Sequence, residues 1–415
     1  MCHRLGIKYL WIDSLCIIQG DEIDWAYESA KMGSIYSNSR LTIAADRARD
    51  DTEGCFNANM DHFAQVPISL PGCDVSTFYV RKPIMHLYLN QLAEDEKAKW
   101  PLVQRAWVYQ EEVLSPRVVH YGPYEVTWRC REAIYCECER VKGTSASSYP
   151  FLTLETSFDN ISTQWKKHVT MYSKRQLTYD KDRLPAIEGV ARSLQRQAPL
   201  VVLGRYLAGL WSEGLLLDLL WFPRCKARYN RRPEKYRAPS WSWASIEGEV
   251  KFVELAASKA YALVPEVEIL DCQTVGAGEF GPFSHGWLKL RGRIVCRDLW
   301  MNMYGYDLGG PHDIEGTMSV RPDVTILPSD STIQEMIPQE GGTSVNLGPI
   351  HAILLATGRG DTETYAMILK EKGSHNKDGE VRVFERIGFG DGRFRHTELR
   401  RSTFFGVERS VVEIH

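Results

Sequence analysis

No run in this 415-residue chain is long and apolar enough for a good membrane span. The most apolar stretch, Tyr206 to Phe222, carries Glu213 and Asp218, and it falls short of the roughly 20 apolar residues a span needs. A membrane partner is therefore not expected. The first 20 residues lack a basic start followed by a long apolar core, so no secretory leader is read there. A basic block is also missing. With a net charge of -3 the chain has no electrostatic footprint for nucleic acid. No phosphate-binding G-x-x-x-x-G-K-[ST], no H-E-x-x-H and no G-x-S-x-G occurs. The string Val275 to Gly278 follows no strand-to-helix pattern, so a dinucleotide fingerprint fails in context. Internal repeats and low-complexity tracts are absent too.

Ten cysteines are present, but they are dispersed through a long chain rather than framing a small domain. That usage predicts reduced thiols and a cytoplasmic location. Cys130, Cys136 and Cys138 cluster with the spacing C-x5-C-x-C, which is no usual zinc arrangement. A fourth ligand is not evident in sequence. Packing is the expectation there, and no metal is predicted.

What is present begins with Tyr9 to Ala45. Tyr9 to Ile12 is aromatic and β-branched, a strand by composition. Gly20, Asp21 and Asp24 punctuate the chain and start a helix. Trp25, Ser29, Met32 and Tyr36 recur at helical spacing, and Asn38 is a C-terminal stop. Leu41 to Ala45 is short and apolar again. Strand, helix, strand in under 40 residues predicts a βαβ unit with two parallel, neighbouring strands. In open α/β sheets functional groups gather at the carboxyl edge of strands. Here that edge carries Asp13, Ser14, Cys16 and Gln19, although Asp13 as a turn cap and Cys16 as packing account for those residues equally well.

A second stretch, RAWVYQEEVLSPR, follows Pro101, which suits the first position of a helix running to Leu114. Apolar residues cover so wide an arc of that helix that it should be largely buried. Arg105 would lie near its start and Glu111 and Glu112 near its end, against the macrodipole. Arg105 then either forms a structural bridge or faces a pocket shared with Asp13, Glu28 and Glu111.

Together WIDSLCIIQ, Trp25, Glu28, Met32, IYSNSRLTIAA and the R-x-W-x-x-Q-E pattern of Arg105, Trp107, Gln110 and Glu111 resemble the fungal heterokaryon-incompatibility (HET) domain family. The family's opening motif, a strand ending in Ser-Tyr-x-Trp-Gly, would lie upstream of Tyr9, and the chain starts at Met1. The resemblance implies an α/β, TIR-like, parallel-sheet domain that is N-terminally incomplete. It implies non-self recognition and triggering of cell death, with a protein partner. It also implies a possible activity. Some proteins of similar fold cleave the N-glycosidic bond of NAD with a glutamate. By that analogy Glu28 and Glu111 are the candidate carboxylates, and Asp13 orients them. Arg105, Gln19, Gln110 and Trp107 would contact the ligand. NAD would be a substrate and no cofactor is expected. The missing opening motif implies weak or no turnover. The rival reading is a non-enzymatic interaction module.

Further along, Gln65 to Leu70 and Thr77 to Arg81 alternate as antiparallel strands, and Arg117 to Trp128 reads as a hairpin. Residues 141–150 are small and polar and read as a linker. Helices are expected over Trp165 to Tyr179, Ala186 to Gln197 and Tyr206 to Phe222. The family resemblance runs on to about Val250. Trp241 and Trp243, two residues apart on an extended strand, read as core anchors rather than as a stacking platform. From Tyr261 onward strands and turns predominate, as in a β-sandwich or barrel. The expected division is residues 1–140 as the α/β domain, 141–255 as a mainly helical connector and 256–415 as a β-rich module.

Overall fold

A computed structural model describes residues 1–56, 64–68, 76–80, 98–140, 142–144, 158–197, 203–224, 231–254, 263–276, 278–302, 305–308, 318–324, 344–358, 363–375, 381–393, 404 and 406–415. The chain divides into two compact units. Unit 1 comprises Met1–Thr153 and Ala186–Ser193, and unit 2 comprises Leu154–Pro185 and Leu194–His415.

In unit 1 a short helix α1 (Asp13–Cys16) precedes α2 (Glu22–Ser37). Asp21 caps α2 by accepting from the backbone N–H groups of Ile23 and Asp24, and Asn38 ends it. Both boundaries match the sequence reading. Strand β1 (Thr42–Ala44) follows. A hairpin of β2 (Ala64–Ile68) and β3 (Ser76–Val80) pairs antiparallel as expected. Helices α3 (Pro101–Gln104) and α4 (Val108–Leu114) lead into β4 (Arg117–Tyr121), β5 (Val126–Cys130), β6 (Ala133–Cys136) and β7 (Lys142–Thr144). The sheet order is β1-β4-β5-β6-β7. β1 and β4 are parallel and the remaining pairs are antiparallel.

Three expectations change here. Tyr9 to Ile12 forms no strand, and Tyr9 is 89 % exposed. A strand exists only through a partner, and β1, its expected neighbour, stands at the sheet edge among the described residues. The helix expected from Pro101 to Leu114 breaks at Arg105, whose backbone is extended (φ -73°, ψ 134°). Glu111 consequently sits in the first turn of α4, where the macrodipole favours it rather than opposing it. Lys142–Thr144, read as linker, is strand; most of the rest of 141–150 lies outside the described residues.

Residues 186–193 of helix α6 (Pro185–Gln197) complete unit 1. Gly33 on α2 and Gly189 on α6 touch through their backbones: a Cβ on Gly33 would lie 2.8 Å from Gly189 Cα. A Cβ on Gly189 would lie 2.5 Å from Gln110 Oε1 on α4. That oxygen accepts the Gly189 N–H at 3.2 Å. Three helices thus meet where only glycine fits.

Unit 2 contains helix α5 (Phe158–Tyr172) and the rest of α6. Residues 206–222 are not the expected helix. Strands β8 (Tyr206–Leu207) and β9 (Leu210–Trp211) form a tight hairpin, followed by the short helix α7 (Leu215–Asp218) and β10 (Trp221–Pro223). The turn residues Ala208 and Gly209 both have positive φ, and a Cβ on Gly209 would meet Trp243 Nε1 at 2.5 Å. Trp165 and Trp243 each donate an indole N–H to the Gly209 carbonyl at 2.9 Å. Trp241 and Trp243 are fully buried, as core anchors. They do not lie on a strand; Trp243 opens a 3-10 turn.

Strand β11 (Val250–Phe252) pairs with β10. Nine further strands form one sheet: β12 (Leu263–Pro265), β13 (Glu268–Gly276), β14 (Phe283–Asn302), β15 (Gly305–Leu308), β16 (Met318–Pro322), β17 (Val345–Gly358), β18 (Glu363–His375), β19 (Val381–Arg393) and β20 (Arg409–Ile414). Pairings β14–β17, β17–β18, β18–β19, β19–β16, β16–β15 and β15–β14 close a ring. Leu299, Met318, Leu354, Ile368 and Phe404 belong to one core cluster. Arg386 on β19 is fully buried. It binds Asp323 at 2.8 Å, donates to the Leu219 and Trp221 carbonyls, and lies over the Trp221 ring. Breaking such a pair from one side costs about 3–5 kcal/mol.

For unit 1, Gly189→Ala is expected to lower stability by about 1–3 kcal/mol through overpacking. A urea melt of the full chain, compared with wild type, reads this directly.

Candidate functional site

The site is built where α2 and α4 come together. Gly33 sets the approach of α2, and Tyr36 lies one turn further on. Gln110 is held at Gly189, and the next residue, Glu111, is carried alongside. The outcome is that Tyr36 and Glu111 come close enough for each to shift the other's proton affinity. Trp11 closes on the Tyr36 ring edge-on, with centroids 5.7 Å apart.

Glu111 is pushed up to about 7. Burial is the main cause, and the charges of Asp13 and Glu112 add to it; the Tyr36 hydrogen bond and the Arg105 charge work in the opposite direction. Tyr36 is raised well above the ordinary phenol range, chiefly by burial and then by the Glu111 charge, so it remains a donor. Asp13 and Arg105 are both exposed, while Glu111 and Tyr36 are partly buried. The group is therefore a carboxyl poised between its two charge states, with a fixed cation and an anion at an open rim.

Residues 1–111 match the family model described as Heterokaryon incompatibility protein (HET). No curated protein matches the chain, and no solved structure does. The HET match contains every candidate site residue and ends at Glu111 itself. It stops well short of Val250, so the remainder of the chain stands on its own structure.

Within the HET-matched stretch the charges of Asp13 and Arg105 both reach Glu111 and Tyr36. Glu28 is engaged elsewhere. It pairs with Lys31 at 2.8 Å, and that ammonium also lies over the Tyr27 ring. Gln19 is exposed and turns back to donate to the Ile17 carbonyl at 2.8 Å. Gln110 is buried, and its Oε1 receives the Gly189 N–H. Trp107 packs edge-on against Trp25 at 6.1 Å. Sequence reasoning had Tyr36 only as one residue of a helical face. Its 75-residue separation from Glu111 left no local signal.

A second group adjoins Glu111. Asp46 follows β1, His120 lies on the parallel neighbour β4, and Glu112 is on α4. Asp46 Oδ2 and His120 Nδ1 are 2.8 Å apart, giving His120 a partner that sequence did not reveal. One potential ligand atom from each of the three lies within 4.8 Å of the others. Buried Arg129 donates to the Glu112 carbonyl at 2.6 Å.

The raised Glu111 has a consequence for stability. The folded chain holds this proton more tightly than the unfolded one does. Its contribution is therefore full below about 4.5 and is lost as pH rises through about 7. Glu111→Gln removes the charge and keeps a partner for Tyr36. The difference in Tm, variant minus wild type, should grow from pH 5 to pH 8 in paired thermal melts.

Proposed function

We propose that this chain is a non-self recognition protein of the fungal heterokaryon-incompatibility kind. It would act in the cytoplasm and trigger cell death through its N-terminal unit. We further propose that the unit works by hydrolysis of an N-glycosidic bond, with NAD as the substrate that the TIR-like resemblance implies. The observation that carries the chemical reading is Glu111, raised to about 7 beside Tyr36, Asp13 and Arg105. A carboxyl near the operating pH suits general acid–base work. In the hydrolysis the ribosyl C1′–N bond breaks and its electron pair neutralises the departing pyridinium nitrogen. Ionised Glu111 stabilises the oxocarbenium-like centre and takes the proton of the attacking water. Arg105 at the rim neutralises pyrophosphate, and Tyr36 holds the carboxylate in place. The analogy to other folds supplies the substrate class; the residues supply the chemistry.

A second reading, a docking module for a protein partner, is favoured by one observation. Leu5, Tyr9, Leu10, Leu15, Ile18, Ile23 and Tyr27 are all exposed, Ile23 by 84 %. Such a density of exposed large apolar side chains within 23 residues of chain supports an interaction surface. Among the described residues no helix is long and apolar enough to cross a membrane. The two readings combine if partner binding at this surface controls the Glu111 site.

The test is NAD consumption by the purified full chain, followed by chromatography across pH 5.5–8.5. The rate should rise through about pH 7 and fall by roughly 10²–10⁴ in Glu111→Gln. Ile23→Ser should leave that rate unchanged and abolish cell death on expression. Equal NAD loss by wild type and Glu111→Gln would refute the hydrolytic role. Cell death unaffected by Ile23→Ser would refute the docking role.

A further inference from the structure

The end of the β5–β6 hairpin carries chemistry that the Glu111 site does not use. Cys136 closes β6 opposite Thr127 of β5. The chain then turns: the Glu139 N–H returns to the Cys136 carbonyl at 3.0 Å, and Glu139 itself adopts a positive φ of 59°. That turn folds Cys138 back toward Cys136, and their sulfurs stand 3.3 Å apart. Glu125, just before β5, reaches the same point. Its Oε2 accepts the Cys138 N–H at 3.0 Å, which aims Oε1 at Cys138 Sγ, 3.8 Å away. Two sulfurs and one carboxylate oxygen thus lie within 4.8 Å of one another.

We propose that Glu125, Cys136 and Cys138 form a binding site for a thiophilic divalent cation of the zinc class, the fourth position being left to water. Zinc–sulfur bonds of about 2.3 Å at a tetrahedral angle place two sulfurs about 3.8 Å apart, and a carboxylate oxygen at about 2.0–2.2 Å completes the face. The sulfurs and the carboxylate are already close to those separations, so small side-chain rotations suffice. The hydrogen bond from the Cys138 N–H fixes the carboxylate as an outer-shell partner would. Sequence spacing missed this site because the third donor, Glu125, comes from just before the other strand of the hairpin.

Metal binding requires the thiolate form of each cysteine. On binding, each thiol gives its proton to solvent and its sulfur pair to the metal, so affinity falls as pH is lowered. The site would pin β5 to β6 at the open end of their hairpin.

The full chain, reduced and then freed of metal by a chelator, is titrated with Co²⁺. A thiolate-to-cobalt charge-transfer band should saturate at one equivalent per chain and collapse on addition of Zn²⁺. Bound Zn²⁺ should shield Cys136 and Cys138 from alkylation, as mapped by mass spectrometry. Cys138→Ser should abolish the band, and Glu125→Gln should weaken Co²⁺ binding at least tenfold. The wild-type alkylation map holds even where a variant fails to fold. Absence of the band in reduced wild-type chain, its persistence in folded Cys138→Ser, or Zn²⁺ shielding other cysteines instead would each overturn the proposal.

Discussion

The backbone contact of Gly33 with Gly189 is the constraint on which unit 1 depends. Helices normally keep 8–10 Å between axes because side chains stand between them. Here no side chain does, and a Cβ on either residue would collide with the other's backbone. Gln110 fills the remaining gap and accepts the one N–H that faces it. This junction joins residues widely separated in sequence. Its product is the meeting of Tyr36 and Glu111, each within one helical turn of a junction residue.

The same closeness explains the electrostatics. A carboxyl pressed between packed helices loses hydration, and its charged form becomes costly. Arg105 offsets part of that cost from an exposed position made possible by the break between α3 and α4. The break, the glycine junction and the raised carboxyl are therefore linked: packing sets the charge state, and charge state sets the chemistry open to the site. Unit 2 uses burial differently. Its buried Arg386 is matched by Asp323 and by backbone carbonyls, a closed arrangement that holds segments in place and presents nothing to solvent.

Much of this was legible in the sequence where local rules decide. Asp21 and Asn38 bound α2 because capping is a matter of neighbouring backbone groups. The β2–β3 hairpin and most strands after Tyr261 followed from alternation and turns. Reading failed where a partner decides. Tyr9 to Ile12 has strand composition but pairs with no strand among the described residues, although β1 leaves an edge open. Tyr206 to Phe222 is apolar enough for a helix, yet Gly209 must accept two tryptophan N–H groups in a turn. Among the proposed site residues the charges of Asp13 and Arg105 both reach Glu111, whereas Glu28 pairs with Lys31, three residues away on its own helix. That pairing is local and could have been read; the Tyr36–Glu111 and Asp46–His120 pairs span the fold and could not.

The central claim is that Glu111 is a carboxyl poised near neutrality. The most direct measurement is the infrared carbonyl stretch of protonated glutamic acid, taken as the wild-type minus Glu111→Gln difference across pH. The account predicts a band that disappears with a midpoint of about 7. A difference spectrum with no protonated-acid band above pH ~5, the ordinary glutamate range, would contradict it.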